Sequence, residues 1–322
     1  MIEYGADVNM VLAQKLRVLD PYLNLEANEL IFNHSKEMFI DYGDKWEVVE
    51  NEKLDYTFLN DFIIQLATRR RQKFNDKNPS FSGELPPPYN RYRVQAQHES
   101  ILFNADIAIN IRIPSKTRFA LENFELSEKV KSYGWTYEKI KELIRTKKNV
   151  LISGGTGSGK TSFLNSLMGE IDLSERVVTI EDSNELAIPN HNKTQLAVPK
   201  NENEIYGYQD AINNAMRMRP DRLFLGEIDI RNTFSFLRVN NTGHEGNLST
   251  LHANNPQDAI KAIITNVTLG GDLQNPDNNM LKELITTAID YIIQIKRVGT
   301  KRVITDILYL KNESKTRQRI II

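Results

Sequence analysis

The sequence predicts a two-part α/β protein, with a mostly parallel sheet in a domain over 135–322 and a smaller α+β domain over 1–114. Beyond residue 135, buried-strand patterns alternate with helical patterns, which is typical of a parallel sheet with helices on both faces. Before residue 114, short strands whose residues alternate in polarity occur together with two amphipathic helices. In this part of the chain, strands and helices do not alternate regularly. A linker with short helical pieces, over 115–134, is predicted to join the two domains.

The elements of the N-terminal domain follow from residue periodicity and turn residues. Apolar residues at helical spacing predict a first helix over 8–19, which Pro21 should end. Three short strands separated by turn residues predict a β-meander, and they cover 29–33, 37–42 and 45–49. The domain continues with an amphipathic helix over 55–73, a proline-rich loop over 79–88, and strands over 91–95 and 105–113.

The C-terminal domain opens with a helix and then alternates strands with helices. The predicted helices cover 135–147, 161–168, 211–218, 256–267 and 281–289, and the predicted strands 149–153, 176–180, 222–226, 248–251, 291–295 and 303–310. Pro256 stands at the head of its helix, where proline is favoured because an N–H would have no helical partner there. This order predicts a sheet whose strands end at one shared edge, which is where ligands of such sheets bind.

Between the strand over 149–153 and the helix over 161–168 lies a glycine-rich loop with the pattern G-x-x-x-x-G-K-[S/T]. Glycine lets the backbone N–H groups turn inward, and the helix N-terminus adds positive potential, so the loop suits phosphate. Lys160 is expected to reach the β- and γ-phosphates, and Thr161 to bind Mg²⁺ through its hydroxyl. A flexible loop without a ligand is the alternative, which the flanking strand and helix disfavour. The predicted nucleotide-binding residues are Gly154, Gly155, Thr156, Gly157, Ser158, Gly159, Lys160, Thr161 and Ser162.

Composition excludes several classes of protein. The chain has no cysteine, which rules out disulfides, a cysteine-ligated zinc ion and thiol chemistry. The net charge of −1 gives no whole-chain attraction to nucleic acid. No apolar run approaches the roughly 20 residues that span a bilayer, and the N-terminus lacks the basic-then-apolar pattern of a signal peptide. If the protein works at a membrane, we expect it to dock from the cytoplasmic side.

Two acidic residues at predicted strand ends are candidates for the same site. Glu181 follows the strand over 176–180, and Glu227 follows the apolar strand over 222–226. Since both strand ends are expected at the ligand edge, the two carboxylates could order the water molecules around Mg²⁺ or polarise the attacking water. A solvated acidic turn is the alternative for Glu181, and an ordinary strand-end carboxylate is the alternative for Glu227.

Two histidines, His244 and His252, flank the predicted strand over 248–251. Near phosphate, an imidazole can sense the γ-phosphate and pass the signal to a neighbouring group. A structural or surface histidine is the alternative for each of them. A metal site is rejected, because the segment has no His-Glu-x-x-His pattern and is predicted to be loop and strand.

Taken in order, the glycine-rich loop, the Glu181 segment, the Glu227 strand end and the histidine segment resemble the four motifs of the secretion (traffic) ATPase superfamily. The resemblance extends over about 149–256 and is strongest to the compact VirB-type traffic ATPases of bacterial type IV secretion. The segments 217–222 and 109–117 also match. The resemblance implies a RecA-like P-loop NTPase domain that binds ATP and Mg²⁺. It further implies that arginines of the N-terminal domain, here Arg93 and Arg112, complete the phosphate pocket.

The same resemblance implies a hexameric ATPase at the inner face of a membrane, which couples ATP hydrolysis to substrate export or pilus assembly. The implied partners are other secretion-system ATPases and inner-membrane components, with peripheral membrane association on the cytoplasmic side. The alternatives are an assembly or retraction motor of a type IV pilus or type II secretion system, and a nucleotide-gated scaffold with little turnover. No sequence-specific binding of nucleic acid is expected, because the chain shows no clustered aromatic and basic face.

One segment departs from the pattern of the family. The family usually has an arginine where this chain has Asp229, and an acidic residue where it has Asn232. Arg231 could compensate, but no role of the family arginine is carried over to it. The departure weakens the implied coupling between subunits.

Overall fold

The structure is a computed structural model that describes Tyr4, 8–43, 45–114, 119–198, 206–271, Leu273 and 277–310. Residues 115–117, which belong to the segment that resembles the family, lie outside the described residues. The chain divides into two compact units, Met1–Thr117 and Arg118–Ile322.

The first unit is an antiparallel sheet of six strands covered by two helices. The strand order is β3-β2-β1-β6-β5-β4. Alternate strand residues and the apolar stripes of the two helices form one buried cluster, as period-2 and period-3.6 patterns require. The elements are α1 (Met10–Leu23), β1 (Glu29–His34), β2 (Glu37–Asp41), β3 (Trp46–Glu50), α2 (Tyr56–Arg69), β4 (Ser80–Glu84), β5 (Arg93–His98) and β6 (Ile107–Arg112).

Two predictions for the first unit are wrong. Pro21 does not end the first helix but lies inside α1, whose last residue, Leu23, is fully buried. Burial of this final turn offsets the cost of the proline, whose missing N–H removes only one helical hydrogen bond. The predicted loop over 79–88 contains strand β4, because Phe81 fills the core while the backbone pairs with β5. The strand was not predicted, because Gly83 and the nearby prolines are residue types that are unfavourable inside strands.

The second unit confirms the predicted α/β class. Its eight strands follow the order β10-β9-β11-β12-β8-β13-β14-β7, and all neighbours run parallel except β13 and β14. The strands are β7 (Phe124–Leu126), β8 (Val150–Gly154), β9 (Val177–Glu181), β10 (Lys193–Ala197), β11 (Arg222–Leu225), β12 (Leu248–Leu251), β13 (Tyr291–Val298) and β14 (Lys301–Tyr309). The helices are α3 (Glu128–Ser132), α4 (Tyr137–Arg145), α5 (Lys160–Leu167), α6 (Tyr208–Arg217), α7 (Thr233–Asn240), α8 (Pro256–Gly270) and α9 (Asn278–Ala288).

Helices cover both faces of this sheet. Successive residues of a strand alternate between two buried clusters, so each cluster lies on its own face. One cluster includes residues of α4 and α5, and the other includes residues of α6, α7, α8 and α9. Arg222, from the segment 217–222, is buried at the start of β11 and forms two hydrogen bonds with the Glu175 carboxylate, 2.6 and 3.0 Å long.

Three elements of the second unit were not predicted. Strand β7 lies in the predicted linker, and it belongs to the sheet because Phe124 and Leu126 are buried beside β14. Edge strand β10 has few apolar residues and is held by backbone pairing with β9. Helix α7 begins at Thr233 without a side-chain cap, and its aromatic and β-branched residues favour a strand locally. Packing of its buried face against the other helices determines its conformation.

Candidate nucleotide-binding site

The glycine-rich loop 154–159 joins the end of β8 to the start of α5, so it lies at the edge where the parallel strands end. Gly157 and Gly159 have φ values of +69° and +92°, in the left-handed region that favours glycine. A Cβ atom on Gly154 would lie 2.6 Å from the backbone oxygen of Ile295. Ser158 Oγ is buried without a hydrogen-bond partner in the described part of the chain. These features fit a cradle for phosphate oxygens, which could accept a hydrogen bond from the serine hydroxyl.

Lys160 is the first residue of α5, and its side chain lies beneath this loop. The residue is 7% exposed, and its Nζ donates hydrogen bonds to the backbone oxygens of Gly154 and Gly155, at 2.9 and 3.1 Å. Burial lowers the pKa of Lys160, while the charges of Glu227 and Glu185 act in the opposite direction. A cation held in this way by neutral carbonyl oxygens is positioned to exchange them for phosphate oxygens.

His252 connects Lys160 to Glu227. Lys160 Nζ lies 3.1 Å from the Nδ1 and 3.4 Å from the Nε2 of His252, and this Nε2 lies 3.2 Å from Glu227 Oε1. Burial lowers the pKa of His252, and the charge of Lys160 lowers it further, so the neutral imidazole is favoured. A neutral ring with its proton on Nε2 accepts a hydrogen bond from the lysine and donates one to the carboxylate. Three segments that are distant in the sequence therefore meet at one point.

Glu227 follows β11 at the same edge of the sheet, with about half of its side chain exposed. Burial raises the pKa of Glu227, Lys160 lowers it, and the nearby carboxylates of Asp182, Asp229 and Glu185 raise it. A carboxylate with a raised pKa is better matched to accepting a proton near neutral pH than an ordinary glutamate.

The segment 229–232, where the sequence departs from the family pattern, forms hydrogen bonds that fix the backbone around Glu227. Asn232 donates from Nδ2 to the backbone oxygen of Glu227 at 3.0 Å, and its Oδ1 accepts from the backbone N–H of Asp229 at 2.9 Å. An ionised acidic residue at position 232 could not make the first of these bonds, since it has no donor. Arg231 binds the Asp229 carboxylate and stacks on Tyr208, with its guanidinium carbon 4.9 Å from the ring centroid.

Glu181, in contrast, is turned into the protein. It is 5% exposed, and its Oε1 accepts hydrogen bonds from the backbone N–H groups of Glu185 and Leu186, at 2.9 and 2.8 Å. The hydroxyl of Thr179 donates to its Oε2 at 3.2 Å. In this arrangement Glu181 holds the acidic segment in place. Asp182 and Glu185 belong to the same predicted acidic segment, and their charges act on the site: Glu185 raises the pKa of Lys160, and both residues raise the pKa of Glu227.

Burial of Glu181 gives a prediction about stability and pH. Desolvation raises the pKa of Glu181 from 4.5 to about 7, against the lowering effect of its hydrogen bonds. Folding therefore favours the protonated carboxyl, and this contribution to the free energy of unfolding is present below pH 4.5 and lost as the pH rises through 7. Glu181→Gln stays neutral, so we expect its stability relative to the wild type to increase between pH 4.5 and 8, by on the order of 3 kcal/mol.

Urea unfolding at pH 5 and pH 8 measures this difference. Glu142→Gln, an exposed glutamate on α4, is the matched control and should show no such change with pH. A stability difference for Glu181→Gln that stays constant over this range would show that the carboxyl does not titrate differently in the folded protein.

His244 does not join this group of residues, so the prediction that it belongs to the site is wrong. It precedes β12, whose first residue pairs with the first residue of β8, whereas the glycine-rich loop follows the last residue of β8. A strand of five residues spans about 15 Å. Because β12 and β8 run parallel, His252 lies at the ligand edge and His244 lies at the opposite edge.

The remaining predicted residues divide between the two units. Thr161 and Ser162 lie in the first turn of α5, next to the loop. Arg93 and Arg112 lie in the first unit, directly opposite each other on β5 and β6. Glu84 and Glu29 flank them on β4 and β1, so the four side chains form one row across the sheet. Their predicted role toward a phosphate stays a prediction.

No cluster of three or more histidine, aspartate or glutamate side chains within the described ranges could hold a metal ion alone. Mg²⁺ commonly uses one or two protein groups together with phosphate oxygens and water. The Thr161 hydroxyl, at the head of α5 beside the phosphate cradle, fits that pattern.

The chain belongs to the Type II/IV secretion system protein family, whose model matches residues 98–300. It is 29% identical over 317 residues to the type IV secretion system protein VirB11 of Bartonella quintana (strain Toulouse), covering 87% of each chain. It is 28% identical over 254 residues to the conjugal transfer protein TrbB of Rhizobium radiobacter, covering 77% of this chain and 73% of TrbB.

Solved structures agree with these relatives. The VirB11 ATPase of Brucella suis, in complex with sulphate, is 25% identical, with a TM-score of 0.50 over 93% of this chain and 94% of that one. The pilus retraction motor PilT with bound ADP has a TM-score of 0.67 over 95% of this chain and 84% of that one, and at 18% identity it supports the fold alone. The resemblance to VirB-type traffic ATPases is thus confirmed. In the described part of the chain, no helix has the length and apolar character of a membrane span.

Proposed function

We propose that this protein is the traffic ATPase of a type IV secretion system, which hydrolyses ATP with Mg²⁺ to drive substrate export or pilus assembly. Membership of the secretion family and similarity to VirB11 proteins over most of the chain support the biological setting. The observation that carries the chemistry is the chain of contacts from Lys160 through His252 to Glu227, beside a glycine-rich phosphate cradle.

Each residue has a defined task in this proposal. Lys160 leaves the backbone oxygens of Gly154 and Gly155 and binds the β- and γ-phosphates of ATP. Thr161 would hold Mg²⁺, which neutralises charge on the phosphates when bound. Glu227 accepts a proton from the attacking water or orders it. Glu181 shapes the acidic segment behind the site rather than contacting the metal ion directly, because backbone N–H groups already occupy its buried carboxylate.

In this proposal, the hydrogen-bond partners of His252 depend on whether a nucleotide is bound. When Lys160 moves to a phosphate, the imidazole loses its hydrogen-bond donor at Nδ1 and becomes free to accept one from elsewhere. The same movement removes a cation that lowers the pKa of His252. Nucleotide binding thereby changes the partners of a group that also contacts Glu227.

Two further features of the proposal rest on the family likeness. Arg93 and Arg112 of the first unit complete the phosphate pocket, where a planar guanidinium suits the charge on the transferring phosphoryl group. The protein works as a hexameric ring on the cytoplasmic face of the inner membrane, with other secretion ATPases and inner-membrane components as partners. Closure and opening of the domains then pass the energy of ATP to these partners.

Steady-state phosphate release by the purified full-length protein tests the proposed activity. We expect turnover that requires both ATP and Mg²⁺ and that stops when EDTA removes the metal ion. Nucleotide binding without phosphate release above the buffer baseline would contradict the enzyme and support the nucleotide-gated scaffold instead. Loss of substrate transfer after deletion of the gene, with restoration by the wild-type copy, tests the assignment to secretion.

A further inference from the structure

Three cations of the hairpin formed by β13 and β14 lie beside the glycine-rich loop, and we call Lys296, Arg297 and Arg302 the hairpin cations. Register places Arg297 and Arg302 directly opposite each other on the two strands. Lys296 and Arg297 line a pocket of about 240 Å³ together with Gly155, Thr156, Ser158, Asn254 and Gln294.

Arg302 packs directly against the loop. A Cβ atom on Gly159 would lie 2.6 Å from Arg302 Cδ and 2.7 Å from Arg302 Nε. The guanidinium carbon of Arg302 also lies 5.2 Å from the ring centroid of Phe119, within the range of a cation–π contact. Arg302 is thus held between Phe119 and Gly159, the residue directly before α5.

The charge of these residues has no acidic partner among the described residues. No carboxylate there lies within 4.0 Å of a hairpin cation, whereas their neighbour Lys301 lies 2.7 Å from Glu125. Arg302 Nε is buried and makes no hydrogen bond with any described group. Burial lowers the pKa of Arg302, and the charge of Arg297 lowers it further. Like charges placed directly opposite on neighbouring strands are unfavourable, and they oppose each other here in Arg297, which is exposed, and Arg302, which is half-buried.

Two buried polar atoms of the same pocket also have no hydrogen-bond partner among the described groups. Ser158 is 4% exposed and Gln294 is 1% exposed, and the unpaired atoms are Ser158 Oγ and Gln294 Oε1. The other end of the Gln294 side chain donates to the backbone oxygen of Ala253 at 3.1 Å, which fixes the amide. Arg297 Nε donates to the backbone oxygen of Gly299 at 3.0 Å, which leaves its terminal N–H groups available. A pocket lined by two cations without an acidic partner and by an unpaired hydroxyl is suited to an anion with several oxygen atoms.

We propose that the hairpin cations form a second phosphate-binding wall, which contacts the phosphate chain of the nucleotide held by the glycine-rich loop. The pocket is smaller than the roughly 300 Å³ at which sites for whole drug-sized ligands begin, so it takes part of the nucleotide. Arg302 additionally positions Gly159, and the bound anion relieves the repulsion between Arg302 and Arg297. This inference rests on the proposed function, because it requires that the loop bind nucleotide.

Titration calorimetry with ADP, combined with thermal unfolding of the nucleotide-free protein, tests the wall. Arg302→Met keeps the length of the side chain and removes its charge. We expect ADP to bind about 10-fold more weakly or worse, since a charge-assisted hydrogen bond is lost. The Tm without nucleotide should stay the same or rise, because the repulsion between Arg302 and the opposite Arg297 disappears. Arg302→Lys, which keeps the charge, should recover part of the affinity.

Lys301→Met is the matched control, because Lys301 is an exposed cation of the same strand that pairs with Glu125. It should leave the affinity for ADP unchanged. Arg297→Met is a second variant that does not disturb the packing on Gly159, and it should also weaken ADP binding without lowering the Tm.

If both Arg302→Met and Arg297→Met bound ADP with the affinity of the wild type, the proposal of a second phosphate-binding wall would be overturned. A lower Tm in Arg302→Met, with unchanged ADP binding by Arg297→Met, would likewise overturn it and leave Arg302 as a packing residue. If the wild-type protein itself bound neither ADP nor ATP in the same titration, the proposed function would fail as well, so the two failures can be told apart.

Discussion

Lys160→Ala is expected to lower the rate of ATP hydrolysis by about 100- to 1000-fold, the range found when one donor to a transition-state oxyanion is removed. The structure places Lys160 Nζ at the centre of the candidate site, where the backbone oxygens of Gly154 and Gly155 and the Nδ1 of His252 surround it. No other buried lysine among the described residues could replace its charge. Phosphate release at saturating ATP and Mg²⁺ measures the loss.

Folding of this variant should be nearly normal, because the wild-type protein holds a cation whose pKa burial lowers, and alanine removes that cost. Lys261→Ala is the matched control, since Lys261 is an exposed lysine of α8 that pairs with Asp258 of its own helix. Wild-type turnover by Lys160→Ala, with Lys261→Ala also active, would show that the lysine has no part in the reaction.

Glu227→Gln should reduce turnover by roughly 100- to 10,000-fold, the range typical of general acid–base groups, while nucleotide binding persists. Glutamine keeps the size of the side chain, and its amide oxygen can still accept a hydrogen bond from His252 Nε2. It cannot accept a proton from water, so the loss should appear in kcat and not in the affinity for ATP. Single-turnover hydrolysis and equilibrium binding separate the two quantities.

Glu142→Gln, on the exposed side of α4, is the control for this change. Equal losses of ATP affinity and of turnover in Glu227→Gln would contradict a role in proton transfer. They would instead indicate that the carboxylate holds the site together through His252.

The fold class and the position of the glycine-rich loop could be predicted because their signals are local. A buried strand, a loop with glycines at fixed positions and a helix are all contained in about twenty residues. Elements whose conformation depends on tertiary packing were missed. Helix α7 has residues that favour a strand, and edge strand β10 has too few apolar residues to stand out.

The arrangement of the site was predictable only in part. His244 precedes and His252 follows the predicted strand over 248–251, so the predicted parallel sheet already implied that they lie at opposite edges, and the register of β12 with β8 bears this out. Glu181 and Glu185 belong to one acidic segment. Backbone N–H groups donate hydrogen bonds to Glu181, whereas the charge of Glu185 raises the pKa of Lys160.

Arg302 could not have been connected with the loop from the sequence. It lies 143 positions after Gly159 in the chain, in a strand with no motif, and only the pairing of β13 with β8 and of β14 with β13 brings it there. Similarly, the importance of Asn232 follows from its two hydrogen bonds around Glu227, which a pattern of residue types does not reveal.

A crystal structure of the protein with Mg²⁺ and a slowly hydrolysed ATP analogue tests the central claim most directly. We expect Lys160 Nζ to have left Gly154 O and to lie at hydrogen-bond distance, about 2.7–3.2 Å, from a terminal phosphate oxygen, with Glu227 facing the γ-phosphate. A triphosphate bound away from the glycine-rich loop, or a Lys160 that still donates to Gly154 with the analogue in place, would contradict the proposed ATPase site.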